Sequence, residues 1–191
     1  MRATILCVMI SAGALVPQGL DAQSHIDRQG LWLALEAGAG WTRVSCDICR
    51  ANRDLAPTLG VAIGTTMSPS IRIGADIIGW RATEGPVTEL FGAVGAAVYW
   101  YPNPARPLQL KGGIAYASYR AADEEHALTG SAVGPLLGIS YEWPLSRSLG
   151  LAPFASVHIA SLSGELAFDG EPIAGDLSLA ALRFGASLVT H

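Results

Sequence analysis

No stretch of this sequence is long and apolar enough to be a spanning helix. Such a helix needs about 20 consecutive apolar residues, and the one continuous apolar run, Ile5 to Val16, falls well short of that. Charge is scarce as well. Only 15% of the 191 residues are charged while 50% are hydrophobic, so the apolar content is spread thinly, as many short strands would spread it. A basic excess is missing: the formal net charge is -4, which argues against nucleic acid as a partner, because phosphate binding needs a basic face. Methionine is rare, at three, against 22 glycines, a balance that disfavours a helix-rich fold.

The apolar run is preceded by Arg2 and followed by Pro17, Gly19 and Ala22. That layout is a secretory signal peptide over residues 1–22, with Cys7 removed in it, and leaves 23–191 as a single domain.

Within that domain the dominant signal is alternation. In the closing segment, Asp176 to His191, Leu182, Phe184, Ala186 and Leu188 fall on one side and Arg183, Gly185 and Ser187 on the other. A soluble sandwich would turn the apolar set inward, whereas a small membrane barrel turns it out to lipid and keeps small and polar residues inside. The same design recurs in Leu31–Arg43, Leu55–Met67, Ile71–Ala82, Leu90–Tyr101, Leu108–Arg120, Gly130–Trp143 and Leu149–Ala160. Phe91 and Tyr99 break the polarity rule in the fourth of these. The connectors 68–70, 102–107 and 144–148 are short, while 44–54, 83–89, 121–127 and 161–175 are longer and richer in charge. Short turns at one end and long loops at the other are the asymmetry of outer-membrane barrels. The fold expected is therefore all-β, an eight-stranded antiparallel up-and-down transmembrane β-barrel.

These segments, with the closing Phe184 to His191, resemble the small eight-stranded outer-membrane β-barrel proteins of bacteria. The spacing Arg183-x-Gly185-x-x-Leu188-x-Thr190 also resembles the C-terminal signal by which such barrels are recognised for assembly, with Thr190 where an aromatic residue is usual. The resemblance implies residence in the cell outer membrane, contact with its lipid and lipopolysaccharide, and engagement of the barrel assembly machinery during biogenesis. A monomer is expected.

The alternation sends six charges inward: Glu36, Arg72, Asp76, Lys111, Glu142 and Arg183, three acids against three bases. An eight-stranded barrel has an interior just wide enough for side chains to fill, and an unpaired buried charge is costly. Glu36 and Arg183, on the first and last strands, are expected to pair. Trp41, Trp100, Tyr116, Tyr141 and Trp143 fall near strand ends on the outer face, where aromatic residues form an interfacial girdle.

Cys46 and Cys49 form a C-x-x-C in the first long loop. Zinc would need two further ligands and no second cysteine pair exists; a redox pair normally accompanies a βαβ unit. In an oxidising envelope a local disulfide is expected. Ser156 and His158, two apart on one strand, share a face and invite comparison with barrel enzymes that edit lipid A; no carboxylate joins them in that strand, and a structural role is expected. The acids Asp123, Glu124, Glu125, Glu165, Asp169 and Glu171, with His126, make an acidic rim in the third and fourth loops. No cofactor or metal is expected. The functional expectation is a filled, non-enzymatic barrel with a structural or surface-interaction role carried by its loops. A carrier of small hydrophobic molecules, which requires a hollow upper barrel around Trp80, Phe91 and Tyr99, and a secreted lipocalin-like binder, with its aliphatic rows inward, are the alternatives.

Overall fold

The computed structural model describes residues 28–46, 49–52, 55–174 and 176–191; the expected signal peptide lies outside them. Twelve strands follow in order: β1 (Leu31–Cys46), β2 (Cys49–Asn52), β3 (Ala56–Ser68), β4 (Ile71–Glu84), β5 (Val87–Trp100), β6 (Leu108–Ala122), β7 (Ala127–Tyr141), β8 (Trp143–Pro144), β9 (Leu149–Ala160), β10 (Leu162–Phe168), β11 (Glu171–Ala174) and β12 (Ser178–Thr190). Eight of them, β1, β3, β4, β5, β6, β7, β9 and β12, pair antiparallel with their chain neighbours, and β12 returns to β1 to close the sheet on itself. Closure removes the free edges that an open sheet would expose to hydrocarbon.

The seam between β1 and β12 runs from Leu33 opposite Thr190 to Ser45 opposite Ser178, with Gly38 facing Gly185. A side chain cannot enter there: a Cβ on Gly38 would lie 2.1 Å from the Phe184 carbonyl oxygen, and one on Gly185 would lie 2.2 Å from that of Ala37.

Alternation sets the two faces. Leu182, Phe184 and Leu188 look outward, the last 45% exposed, while Arg183 between them is only 1% exposed. The orientation is that of a membrane barrel and the reverse of a lipocalin. Ile78 and Trp80, at the upper end of β4 where sequence alternation is least decisive, are both inside, as are Phe91 and Tyr99.

Barrel strands of 12 to 16 residues exceed the roughly 9–11 that cross a bilayer. The excess lies at the loop end and corrects four expected boundaries. Within residues 44–54, β1 runs on to Cys46 and pairs with β2, from Arg43 opposite Asn52 to Cys46 opposite Cys49. Residues 83–89 are not a loop: β4 and β5 stay paired up to Glu84 opposite Val87 and turn through Gly85, at φ 58, and Pro86. Residues 121–127 shrink to a short turn after Ala122. Residues 161–175 contain the hairpin β10–β11, with β10 continuing the line of β9 along the upper half of β7. Once outside hydrocarbon, a polar strand pair keeps its backbone hydrogen bonds and has no reason to fray.

The hairpin turns at Asp169 and Gly170, both at positive φ (50 and 88), the two-residue geometry that Asp-Gly favours. Its base bends at Ser163 and Asp176, also at positive φ. The bend lays Leu166 and Leu177 over the inside of Gly130, where a Cβ would meet Leu177 Cδ2 at 2.5 Å. Both leucines are fully buried. At the other end, the segment expected as one strand to Trp143 breaks at Glu142; Trp143 and Pro144 pair with β9 instead.

Candidate functional site

The interior of the barrel gathers the polar chemistry of the chain. Midway along it, β1 supplies Glu36, β4 Asp76, β6 Lys111 and β12 Arg183, each at an inward position of its strand. Arg183 Nη2 donates to Glu36 Oε2 at 2.9 Å, and Lys111 Nζ lies 2.8 Å from Asp76 Oδ2 and 3.9 Å from Glu36 Oε1. Lys111, the sole lysine of the chain, thereby joins the two carboxylates into one network. Tyr99, the aromatic that broke the alternation rule, donates its hydroxyl to Asp76 Oδ1 at 2.9 Å. Its ring meets Trp32 edge to face at 4.8 Å. The exception is thus an aromatic body with a polar tip set against a buried acid.

A second cluster closes the short-turn end. Glu142 accepts from Tyr101 at 2.9 Å and from the Arg28 guanidinium at 3.4 Å. The Arg72 guanidinium has donors only, so it must donate to His191 Nδ1; the ring proton then sits on Nε2, which donates to Glu142 Oε1 at 2.6 Å. Gln109 and Ser140 extend the chain, Gln109 Nε2 donating to Tyr101 at 2.6 Å and Ser140 to Gln109 Oε1 at 2.9 Å. The six charges singled out from the sequence therefore form two networks rather than one, Arg72 and Glu142 belonging to the lower. Gln109 shares the inward face of Lys111 by alternation but has no charge to mark it; Arg28, Tyr101 and His191 were not recognisable as members. They lie in turns or at strand ends, where period-2 reading has no reach.

Between the clusters is a cavity of about 30 Å³ lined in part by Trp32, Arg72, Ser156 and Ser187. It has room for about two water molecules. Arg72 Nε and Nη1, Trp32 Nε1, Ser156 Oγ and Ser187 Oγ have no hydrogen-bond partner among the described residues. Above it the bore is filled: Trp80 and Phe91 are each 3% exposed, and Trp80 Nε1 donates to the Gly40 carbonyl at 2.9 Å; Tyr99, opposite Arg72 toward the short-turn end, lines the cavity itself. The hollow upper barrel that a carrier requires is not found among the described residues. Ser156 Oγ and His158 Nδ1 are both buried and have no hydrogen-bond partner among the described residues, so the two do not form a hydrogen-bonded dyad.

Outside, Trp41, Trp100, Tyr116, Tyr141 and Trp143 are all exposed. Trp41 packs on Phe184 at 5.3 Å and Tyr141 on Trp143 at 5.8 Å. Cys46 is disulfide-bonded and stands opposite Cys49 in the β1–β2 register; the side chain of Cys49 lies outside the described residues.

The rim residues assemble at the hairpin. His126 Nδ1 lies 2.8 Å from Asp169 Oδ2, and Asp169 Oδ1 accepts from the Ala127 amide at 2.8 Å. That hydrogen bond and the facing carboxylate raise the His126 pKa above its ordinary 6.5. The Ala127 amide, then His126, hold Asp169 below its ordinary 3.8. Asp123 is lowered too, by the amides of His126 and Glu125. No group of His, Cys, Asp and Glu able to hold a metal ion occurs among the described residues.

A closed antiparallel barrel of eight strands, aliphatic and aromatic outside and ionic within, defines the protein as an integral β-barrel of the outer-membrane class. Solved structures agree on the fold. Neisserial surface protein A superposes with a TM-score of 0.53 at 14% identity, covering 84% of this chain and 96% of that one. Ail, the attachment invasion locus protein of Yersinia pestis, gives 0.50 at 11% identity over 84% and 99%, and AlkL, an outer membrane protein, 0.50 at 14% over 85% and 90%. No protein-family model matches the chain, and no curated protein matches it in sequence.

Proposed function

We propose that this protein is a closed outer-membrane barrel with a structural or surface-interaction role, exercised through the paired strands and the β10–β11 hairpin that rise beyond the membrane, and without catalytic activity of its own. The observation that carries this reading is the filled bore. Two salt-bridged networks and three large aromatics leave a cavity of about 30 Å³, far below the roughly 300–1,000 Å³ of ordinary ligand pockets. Lipid, lipopolysaccharide and, during biogenesis, the assembly machinery are the partners that such an exterior suits, and a monomer needs no further interface. The reading is tested by refolding the protein in detergent, checking for an unboiled gel band distinct from the boiled one, and adding it to a planar bilayer. A heat-modifiable band with no conductance steps is expected; steady porin-like conductance would overturn the closed barrel.

A further inference from the structure

On the lipid face, the outward rows change character abruptly at the loop end. On β1 Trp41 gives way to Arg43, on β4 Gly79 to Arg81, and on β6 Tyr116 to Ser118 and Arg120; all three arginines are exposed. At the short-turn end the corresponding rows finish in Ile71, Trp100, Leu108 and Tyr141 and carry no charge. The outward strand rows thus end in arginines at the loop end alone, below the acidic rim of the loops, while the exposed cations of the short-turn end, Arg106 and Arg147, lie in its connectors. Arg81 and Arg120 flank Leu90 in register, one on each neighbouring strand, so their backbones are about 10 Å apart. Neither has a hydrogen-bond or ion-pair partner among the described residues. Beside Arg120 lies an outward groove of about 560 Å³, floored by Gly92 and lined by Tyr116, Ser118, Thr129, Ser131 and, at its far edge, Glu165.

We infer that this groove and the two arginines seat the phosphorylated sugar headgroup of an outer-leaflet glycolipid. The inference rests on the outer-membrane reading and goes beyond it in naming a site. Guanidinium donors answer a phosphate in the geometry that arginine favours. The hydroxyls of Ser118, Thr129 and Ser131 and the acceptor carboxylate of Glu165 answer sugar hydroxyls, which a glycerophospholipid offers sparsely. Below them, Tyr116 and Val94, opposite each other in register, continue into the apolar belt, where acyl chains belong. The height on the barrel, the charge and the acceptor favour the same occupant.

Native mass spectrometry of the detergent-solubilised protein, titrated with lipid A, with dephosphorylated lipid A and with phosphatidylglycerol, tests the assignment. Lipid A is expected to bind about tenfold or more tightly than the dephosphorylated form and more tightly than phosphatidylglycerol. The double variant Arg81→Gln/Arg120→Gln should lose that preference, while Arg147→Gln, in the connector at the short-turn end, should keep it. Equal binding of the three lipids by the unaltered protein overturns the site without recourse to any variant, as does a double variant that retains the preference. A heat-modifiable gel band for each protein separates these outcomes from failure of the barrel itself.

Discussion

Arg183 illustrates how one side chain is decided by its surroundings. It is embedded between Leu182 and Phe184, which face lipid, and it survives there because its own position faces Glu36 across the closing seam at 2.9 Å. Removing one member of a buried pair leaves the other charge uncompensated, at a cost of roughly 3–5 kcal/mol. Glu36→Gln should therefore lower the guanidinium midpoint of the detergent-refolded barrel markedly. Because Lys111 also lies within 3.9 Å of Glu36, the change unbalances two cations rather than one. Pairing it with Arg183→Met should recover part of the loss. If the single variant unfolds at the same denaturant concentration as the unaltered protein, the ionic network is not what holds the strands in register. At this scale the sequence was informative: parity alone placed all six charges inside. It could not divide them into two clusters, because which inward residues share a height depends on strand tilt and register.

Among the elements, reading by alternation missed β2, inside the expected loop 44–54, and the β10–β11 hairpin. Asp169-Gly170 is a recognisable hairpin turn, but the flanking Leu162–Phe168 and Glu171–Ala174 are short and mixed, and their burial comes from lying against β7. The hairpin is fastened to the neighbouring turn by His126 and Asp169. The His126 pKa is raised on folding, so its contribution to the clasp is complete below 6.5 and is lost as pH rises through the folded value. The Asp169 pKa is lowered, so its contribution holds above 3.8 and is lost as pH falls through the folded value. The clasp is consequently firmest between those limits. Both groups are exposed and solvent screens them, so the effect is local and small. Hydrogen-exchange protection of the Ala127 and Asp169 amides should drop in alkaline buffer, and His126→Gln should show the lower protection throughout. Unchanged protection from mild acid to alkali would remove the clasp from consideration.

For the molecule as a whole, the controlling quantity is the medium on each side of the sheet. Val94 is 50% exposed in the middle of an outward row, and Thr88 sits on the same face of the same strand, beyond the boundary at Leu90. An arginine on the lipid face costs about 2–4 kcal/mol at the bilayer midplane and falls to about 0–1 near the interface. Val94→Arg should then destabilise the barrel in lipid vesicles by that larger amount and Thr88→Arg hardly at all, as read from denaturant midpoints. Equal effects would mean that the outer face does not meet hydrocarbon.

What the sequence determined by itself was local and periodic: eight alternating segments, the face each strand residue occupies, the even number that lets the sheet close, and six of the charges that face inside. Those follow from a side-chain period of two and need no knowledge of neighbours. The tertiary structure decided what depends on chain segments meeting. It set His191 between Arg72 and Glu142, filled the upper bore with Trp80 and Phe91, and laid Leu166 and Leu177 over Gly130. It also drew Arg81 and Arg120 together across Leu90. Register and tilt bring these residues to a common height, and neither is written in the order of residues along any single strand.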